Sequence, residues 1–178
     1  MITARLFGGF ELSDANGEEL TLSTRKARGL LAFLIVEDGR WHSREGLAGL
    51  LWGERAQTQA RNSLNQALYE IRKLESAVGT TIVEREPERV RIVTGAIDSD
   101  VDRFAALLTD NALEAADFRI GELLDGVDLR DQDFVDWLSS KRAEYQEALS
   151  NALRELASSA NEDDAASAGR YDAAAEGL

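Results

Sequence analysis

The chain opens on short alternations of apolar and polar residues. Over residues 2 to 22, ITARLFGGFELSDANGEELTL, the runs are interrupted by Gly8-Gly9 and by Asn16-Gly17. An Asn-Gly pair between alternating runs favours a tight reversal, because both residues tolerate positive φ. Three short strands are predicted, at residues 2 to 7, 9 to 13 and 18 to 22, forming an N-terminal antiparallel sheet. The period then lengthens. TRKARGLLAFLIVEDG sets Leu30, Leu31, Phe33, Leu34 and Ile35 on a long helix that Asp38-Gly39 ends. Ser43 is placed to cap a second helix, REGLAGLLW, with Leu47, Leu50, Leu51 and Trp52 on its apolar side and Glu45 complementing the helix dipole. After a polar connection from Gly53 to Thr58, ARNSLNQALYEIRKLESAVG predicts a third helix around residues 57–75. TTIVERE and ERVRIVT then alternate around Pro87, a hairpin over residues 81–93. Three strands, three helices and a hairpin are the layout of a winged helix-turn-helix with an added N-terminal antiparallel sheet, an α+β arrangement.

From Asp98 onward the pattern is helical. Val101, Phe104, Leu107 and Leu108 make one amphipathic stripe, ALEAADFRIGELL a second. A third, over residues 134 to 159, carries Phe134, Trp137, Leu138, Tyr145, Leu149, Leu153 and Leu156. Glu162, Asp163 and Asp164 then read as a solvated loop before one more helical start, so the second domain is expected to be incomplete at residue 178.

Charge divides the chain at the same place. The net charge is −13, yet residues 1–97 hold 13 cationic and 13 acidic side chains, against 7 and 20 in residues 98–178. Only the first part is therefore suited to a polyanion; the acidic part suits protein contacts. There is no cysteine, which excludes disulfides, thiolate metal sites and a cysteine nucleophile. No apolar run approaches the ~18 residues of a membrane span and no signal-peptide core opens the chain, so a cytoplasmic, nucleoid-associated protein without membrane contact is expected.

The third helix carries the candidate chemistry. Ala60, Leu64, Ala67, Leu68, Ile71 and Leu74 share one face, while Gln59, Asn62, Asn65, Gln66, Tyr69 and Lys73 share the other, flanked by Arg61 and Arg72. Asn and Gln pair with adenine in the major groove, Arg and Lys reach guanine or phosphate, and an aromatic ring meets a thymine methyl. The hairpin that follows adds Arg85, Arg89 and Arg91, with Arg89 and Arg91 on one strand face, placed for phosphate or minor-groove contact; Glu84, Glu86 and Glu88 stand beside them. Double-stranded DNA is the expected partner.

RLFGGFEL, TRKARGLLAFL, SREGLAGLLW, ARNSLNQALYEIRKL and DVDRFAALL, in this order and spacing, resemble the N-terminal region of SARP-type bacterial transcriptional regulators. In that family an OmpR-like winged helix precedes a bacterial transcriptional activator domain of tetratricopeptide-like helices. The resemblance implies a DNA-binding domain over residues 1–97 and an all-α activator domain over residues 98–178. It makes Asn62 to Lys73 the exposed part of the recognition helix, Arg85 to Arg91 the wing, and Trp52 to Thr58 a turn that contacts RNA polymerase. Phe134, Trp137, Arg142, Tyr145, Leu149 and Leu153 fall on the family's FxxWL segment and following helix. It further implies a homodimer on directly repeated half-sites, activation rather than repression, and no cofactor.

Other constellations carry less. Asp98, Asp100 and Asp102 have the spacing that opens an EF-hand loop, but Arg103 stands where glycine is required and Thr109 where the bidentate glutamate belongs. The run reads instead as a helix N-terminal cap. His42 has no second histidine or cysteine to make a metal site, and Trp137 with Tyr145 reads as packing between helices. No phosphate-binding or nucleophile-elbow motif occurs, and no catalytic set emerges. The expected protein is thus a non-enzymatic, sequence-specific transcriptional regulator. The alternative is a protein-interaction module whose winged helix no longer binds DNA, which the neutral first half and the wing glutamates favour.

Overall fold

The structure, a computed structural model, describes residues 1–110, 112–118 and 121–159. The predicted acidic loop at residues 162–164 and the helical start after it lie outside the described residues. Strands β1 (Ile2–Arg5) and β2 (Glu11–Ser13) pair antiparallel, with Ala4 opposite Leu12. Between them Gly8 adopts a φ of 81°, open chiefly to glycine. The Asn-Gly reversal forms as expected: Asp14 Oδ1 accepts from the backbone N–H of Asn16 and Glu18, and Gly17 has a φ of 81°. The third predicted strand does not form. Residues 18 to 20 only edge β2, through a bridge between Ser13 and Glu19 and a bond from Leu20 N–H to Leu12 O, while the second edge of β1 is taken by β6 (Ile97–Ser99), which pairs parallel to it in the order β2-β1-β6. The sheet is therefore mixed rather than antiparallel, and the expected division at residue 97 falls at the first residue of β6.

Three helices follow as predicted: α1 (Arg25–Val36), α2 (Arg44–Trp52) and α3 (Gln57–Val78). Thr24 and Ser43 cap α1 and α2 by accepting from Ala27 N–H and Gly46 N–H. Left-handed Gly79 ends α3, its N–H returning to the Glu75 carbonyl. Strands β4 (Val83–Arg85) and β5 (Arg89–Ile92) make the hairpin, and β3 (His42–Ser43) adds to it in the order β3-β5-β4.

The helical part consists of α4 (Asp100–Asp110), α5 (Ala112–Phe118) and α6 (Gln132–Ser159). The cap expected of the Asp98, Asp100 and Asp102 run is made instead by Ser99, whose Oγ accepts from Asp102 N–H at 3.1 Å, while Asp100 and Asp102 lie in the first turn and Asp98 pairs with Arg103. Asp100 reaches further, its carboxylate accepting from Leu6 N–H and Phe7 N–H at 2.8 to 2.9 Å. The helix predicted for ALEAADFRIGELL is shorter than expected. Its last residues are drawn onto the N-terminal sheet instead, with Gly8 N–H bonded to Glu122 O and Leu124 N–H to Leu6 O.

One hydrophobic core runs through both halves. Phe7, Phe104 and Tyr145 meet edge to face at 5.2 to 5.9 Å between ring centres, and Trp137 packs between Phe33 and Phe134. Leu129 approaches α1 so closely that a Cβ on Gly29 would lie 2.4 Å from its Cδ1. Glu37, at the end of α1, accepts from Trp137 Nε1 at 3.0 Å and pairs with Lys141 Nζ at 3.2 Å. Lys26 pairs with Asp131. The packing role expected of Trp137 and Tyr145 is thus fulfilled, and α6 is fixed against the three-helix unit. No helix of the described residues is long and apolar enough to cross a membrane.

Candidate nucleic-acid interface

The amphipathic division of α3 is realised in full. Ala60, Leu64, Ala67, Leu68, Ile71 and Leu74 are buried, while Arg61, Asn62, Asn65, Gln66, Tyr69, Arg72 and Lys73 are exposed. Leaving Tyr69 at 55% exposure forgoes the burial an aromatic ring normally seeks, which marks it as available for contact. The Lys73 ammonium lies 4.9 Å from its ring centre. Arg55 is engaged locally, its guanidinium donating to Ser63 Oγ at 3.0 Å.

The wing sits alongside. Arg44 donates from Nε to the carbonyl of Pro87, and its backbone N–H to that of Glu88, tying the start of α2 to the hairpin turn. A cleft of about 270 Å³ results, with Arg44 and Glu45 on one side, Arg61 and Asn65 of α3 on another, and Pro87 and Glu88 on the third. The sequence-predicted helix face and wing therefore share one surface, at residues 61 and 65 on one side and 87 and 88 on the other.

The three wing arginines have different surroundings. Arg85 turns inward, its guanidinium 2.8 Å from Glu75 Oε2 and its side chain only 21% exposed. It braces the hairpin against α3. Arg89 and Arg91 do share a strand face, as alternation predicts, and both lie over the ring of Trp41, at 4.4 and 4.6 Å from its centre. Each is also held by a carboxylate at 2.7 Å: Arg89 by Glu86, Arg91 by Glu84. The Arg89 hydrogen bond holds the Glu86 carboxyl below its ordinary value.

Trp41, Arg44 and Glu75 were not singled out by sequence pattern. Trp41 and Arg44 owe their places to pairing of β3 with a strand more than forty residues on, which local periodicity does not report. Glu75 had a weak signal, an acid at a position where the α3 stripe calls for an apolar residue. His42 is half-buried and meets Phe33 edge on at 4.9 Å; burial lowers its pKa, so it is held neutral. Among the described residues no group of three or more His, Cys, Asp or Glu side chains is arranged to hold a metal ion.

No family model matches the chain, and no curated protein matches it. Among solved structures it is similar to Mycobacterium tuberculosis EmbR in complex with low affinity phosphopeptide, with a TM-score of 0.64 over 88% of this chain at 21% identity. The fold is similar to that of the matched part of the EmbR structure. At this identity the likeness carries the architecture, an α+β unit followed by helices. The chain spans 46% of the EmbR chain.

Proposed function

We propose that the chain is a sequence-specific DNA-binding transcriptional regulator of the SARP type, an activator, with an OmpR-like winged helix leading into a tetratricopeptide-like activator domain. The observation that carries the reading is the exposed, amide-rich face of α3 beside a hairpin, a pairing of recognition helix and wing. The fold shared with EmbR supports the architecture this reading requires. In this reading α3 enters the major groove, where Asn62, Asn65, Gln66 and Tyr69 read base edges while Arg61, Arg72 and Lys73 fix register on phosphates. Arg89 and Arg91 meet the backbone or the minor groove once their carboxylate partners yield. Two copies on repeated half-sites supply the affinity that one winged helix lacks. The turn expected from Trp52 to Thr58 is the surface offered to RNA polymerase; Trp52 is buried at the end of α2 and Gln57 and Thr58 open α3, so its exposed loop is Gly53 to Ala56.

Selection of bound duplexes from a random library, followed by titration at several salt concentrations, tests this. The expected outcome is an enriched repeated motif whose affinity falls steeply with salt, with a log–log slope of about −4 to −5 for four to six neutralised phosphates. The pairing of Arg89 and Arg91 with glutamates favours one second reading, an interaction module whose winged helix has lost DNA. No enrichment, and no binding at low salt, would establish that reading instead.

A further inference from the structure

The side chains on the outward face of α3 are divided by chemistry, and the division bears on which base pairs they can read. Among the described residues, Asn62, Asn65 and Gln66 are exposed and their amides have no hydrogen-bond partner within the chain. The cations that would compete to read guanine stand at the edge of this face or are engaged within the chain. Arg61 and Arg72 lie roughly 80 to 100° around the helix from Asn62, on the flank toward the wing, where Asn65 also stands at the edge of the amide face. Lys73 is drawn onto the Tyr69 ring. Arg55, Arg85, Arg89 and Arg91 are engaged by Ser63, Glu75, Glu86 and Glu84. What points outward is three neutral amides, one aromatic ring and, lying against that ring, the Lys73 ammonium.

Resting on the DNA-binding reading above, we infer that this face reads a half-site whose core is a run of adjacent A·T pairs. A carboxamide offers one donor and one acceptor, the complement of adenine N7 and N6–H, whereas guanine N7 and O6 ask for two donors. Tyr69, with its ring half out of the protein, supplies the apolar contact for a thymine methyl. Asn62 to Tyr69 spans about 10 Å along the helix, or about three base-pair steps. Arg61 and Arg72 are left to phosphates at the edge of the groove.

The test uses the full chain and the duplexes recovered from selection. The expected core is two or three adjacent A·T pairs. Replacing one by G·C weakens binding about 5- to 150-fold for each bidentate amide–adenine pairing it abolishes. Replacing a core adenine by 7-deazaadenine, which keeps Watson–Crick pairing but removes N7, also weakens it. Asn65→Ala or Gln66→Ala makes the chain indifferent to that exchange at the base the residue reads, while thermal unfolding of these exposed-site variants is unchanged. An enriched motif with a G·C core, lost in Arg61→Ala or Arg72→Ala and kept in the amide variants, overturns the inference and leaves DNA binding standing. Absence of any enriched motif overturns both.

Discussion

Glu75 occupies a place in the α3 stripe that periodicity assigns to a hydrophobe, and it is 8% exposed. Its Oε1 accepts from the backbone N–H of Ile82 and Val83, each at 2.8 Å, and Arg85 closes the arrangement through Oε2. One carboxylate thus satisfies two donors of the wing strand and one guanidinium, fixing where the hairpin leaves the helix. Removing it leaves two N–H groups buried without partners and the Arg85 charge without its carboxylate, with only the Val83 carbonyl still accepting from it. Glu75→Ala is therefore expected to cost about 3 to 5 kcal/mol of stability, seen as a lower denaturant midpoint. A loss below about 1 kcal/mol would mean that the strand is held by its apolar contacts alone. The six buried apolar residues of α3 were legible because a helical period repeats within the segment; Glu75 was not, because two of its partners are backbone groups that no side-chain pattern records. Arg85, read from sequence as a wing cation, is for the same reason a brace.

In the wing, each outward cation is matched by an adjacent carboxylate. Its two outward arginines are stacked on Trp41 and held by Glu84 and Glu86, so phosphate must displace carboxylates rather than water. The double variant Glu84→Gln/Glu86→Gln should bind duplex DNA more tightly, within about one order of magnitude, and show a steeper salt slope as two like charges leave the interface. Unchanged affinity and slope would take the wing out of the interface and leave α3 as the sole contact. At this scale the three helices of the winged unit and the hairpin were legible, since caps, periods and turn residues are all local. The missing third strand and the shortened α5 were not. For α5 a segment distant in sequence took the backbone hydrogen bonds, with residues 122 to 124 bound at Leu6 and Gly8; the third strand stops at one bridge and one further bond on β2.

Across the whole molecule the two electrostatic halves are joined by a continuous core and by polar ties at Glu37. Burial raises the Glu37 carboxyl, but hydrogen bonds from Trp137 and Lys141, with the charges of Lys141 and Arg40, outweigh it and hold the group below its ordinary 4.5. A carboxyl depressed in the folded state contributes stability above its unfolded pKa, and that contribution is lost as pH falls through the folded value. The stability difference between the wild-type chain and Glu37→Gln should thus be constant at neutral pH and shrink as pH drops below about 4.5, followed by denaturant melts at each pH. A difference that stays constant down to pH 3 would show that the carboxylate charge does not hold α6 in place. His42, whose pKa is lowered by burial and partly raised again by the Glu37 charge, acts in a higher window, costing stability as pH falls below its ordinary 6.5 and more so in Glu37→Gln.

The strand that begins the chain is the middle one of its sheet, and the partner on its far side arrives only after the three-helix unit is complete. Trimming the protein to its winged helix by cutting after residue 97 would remove most of that partner. It would also remove the Asp100 carboxylate that satisfies Leu6 and Phe7, and the Leu124 N–H that satisfies the Leu6 carbonyl. The fragment would carry a bare strand edge beside exposed apolar surface, the arrangement by which isolated domains stick to one another. A usable minimal fragment has to extend past the residues at 122 to 124, so the smallest piece able to fold cleanly already includes the first helices of the acidic part.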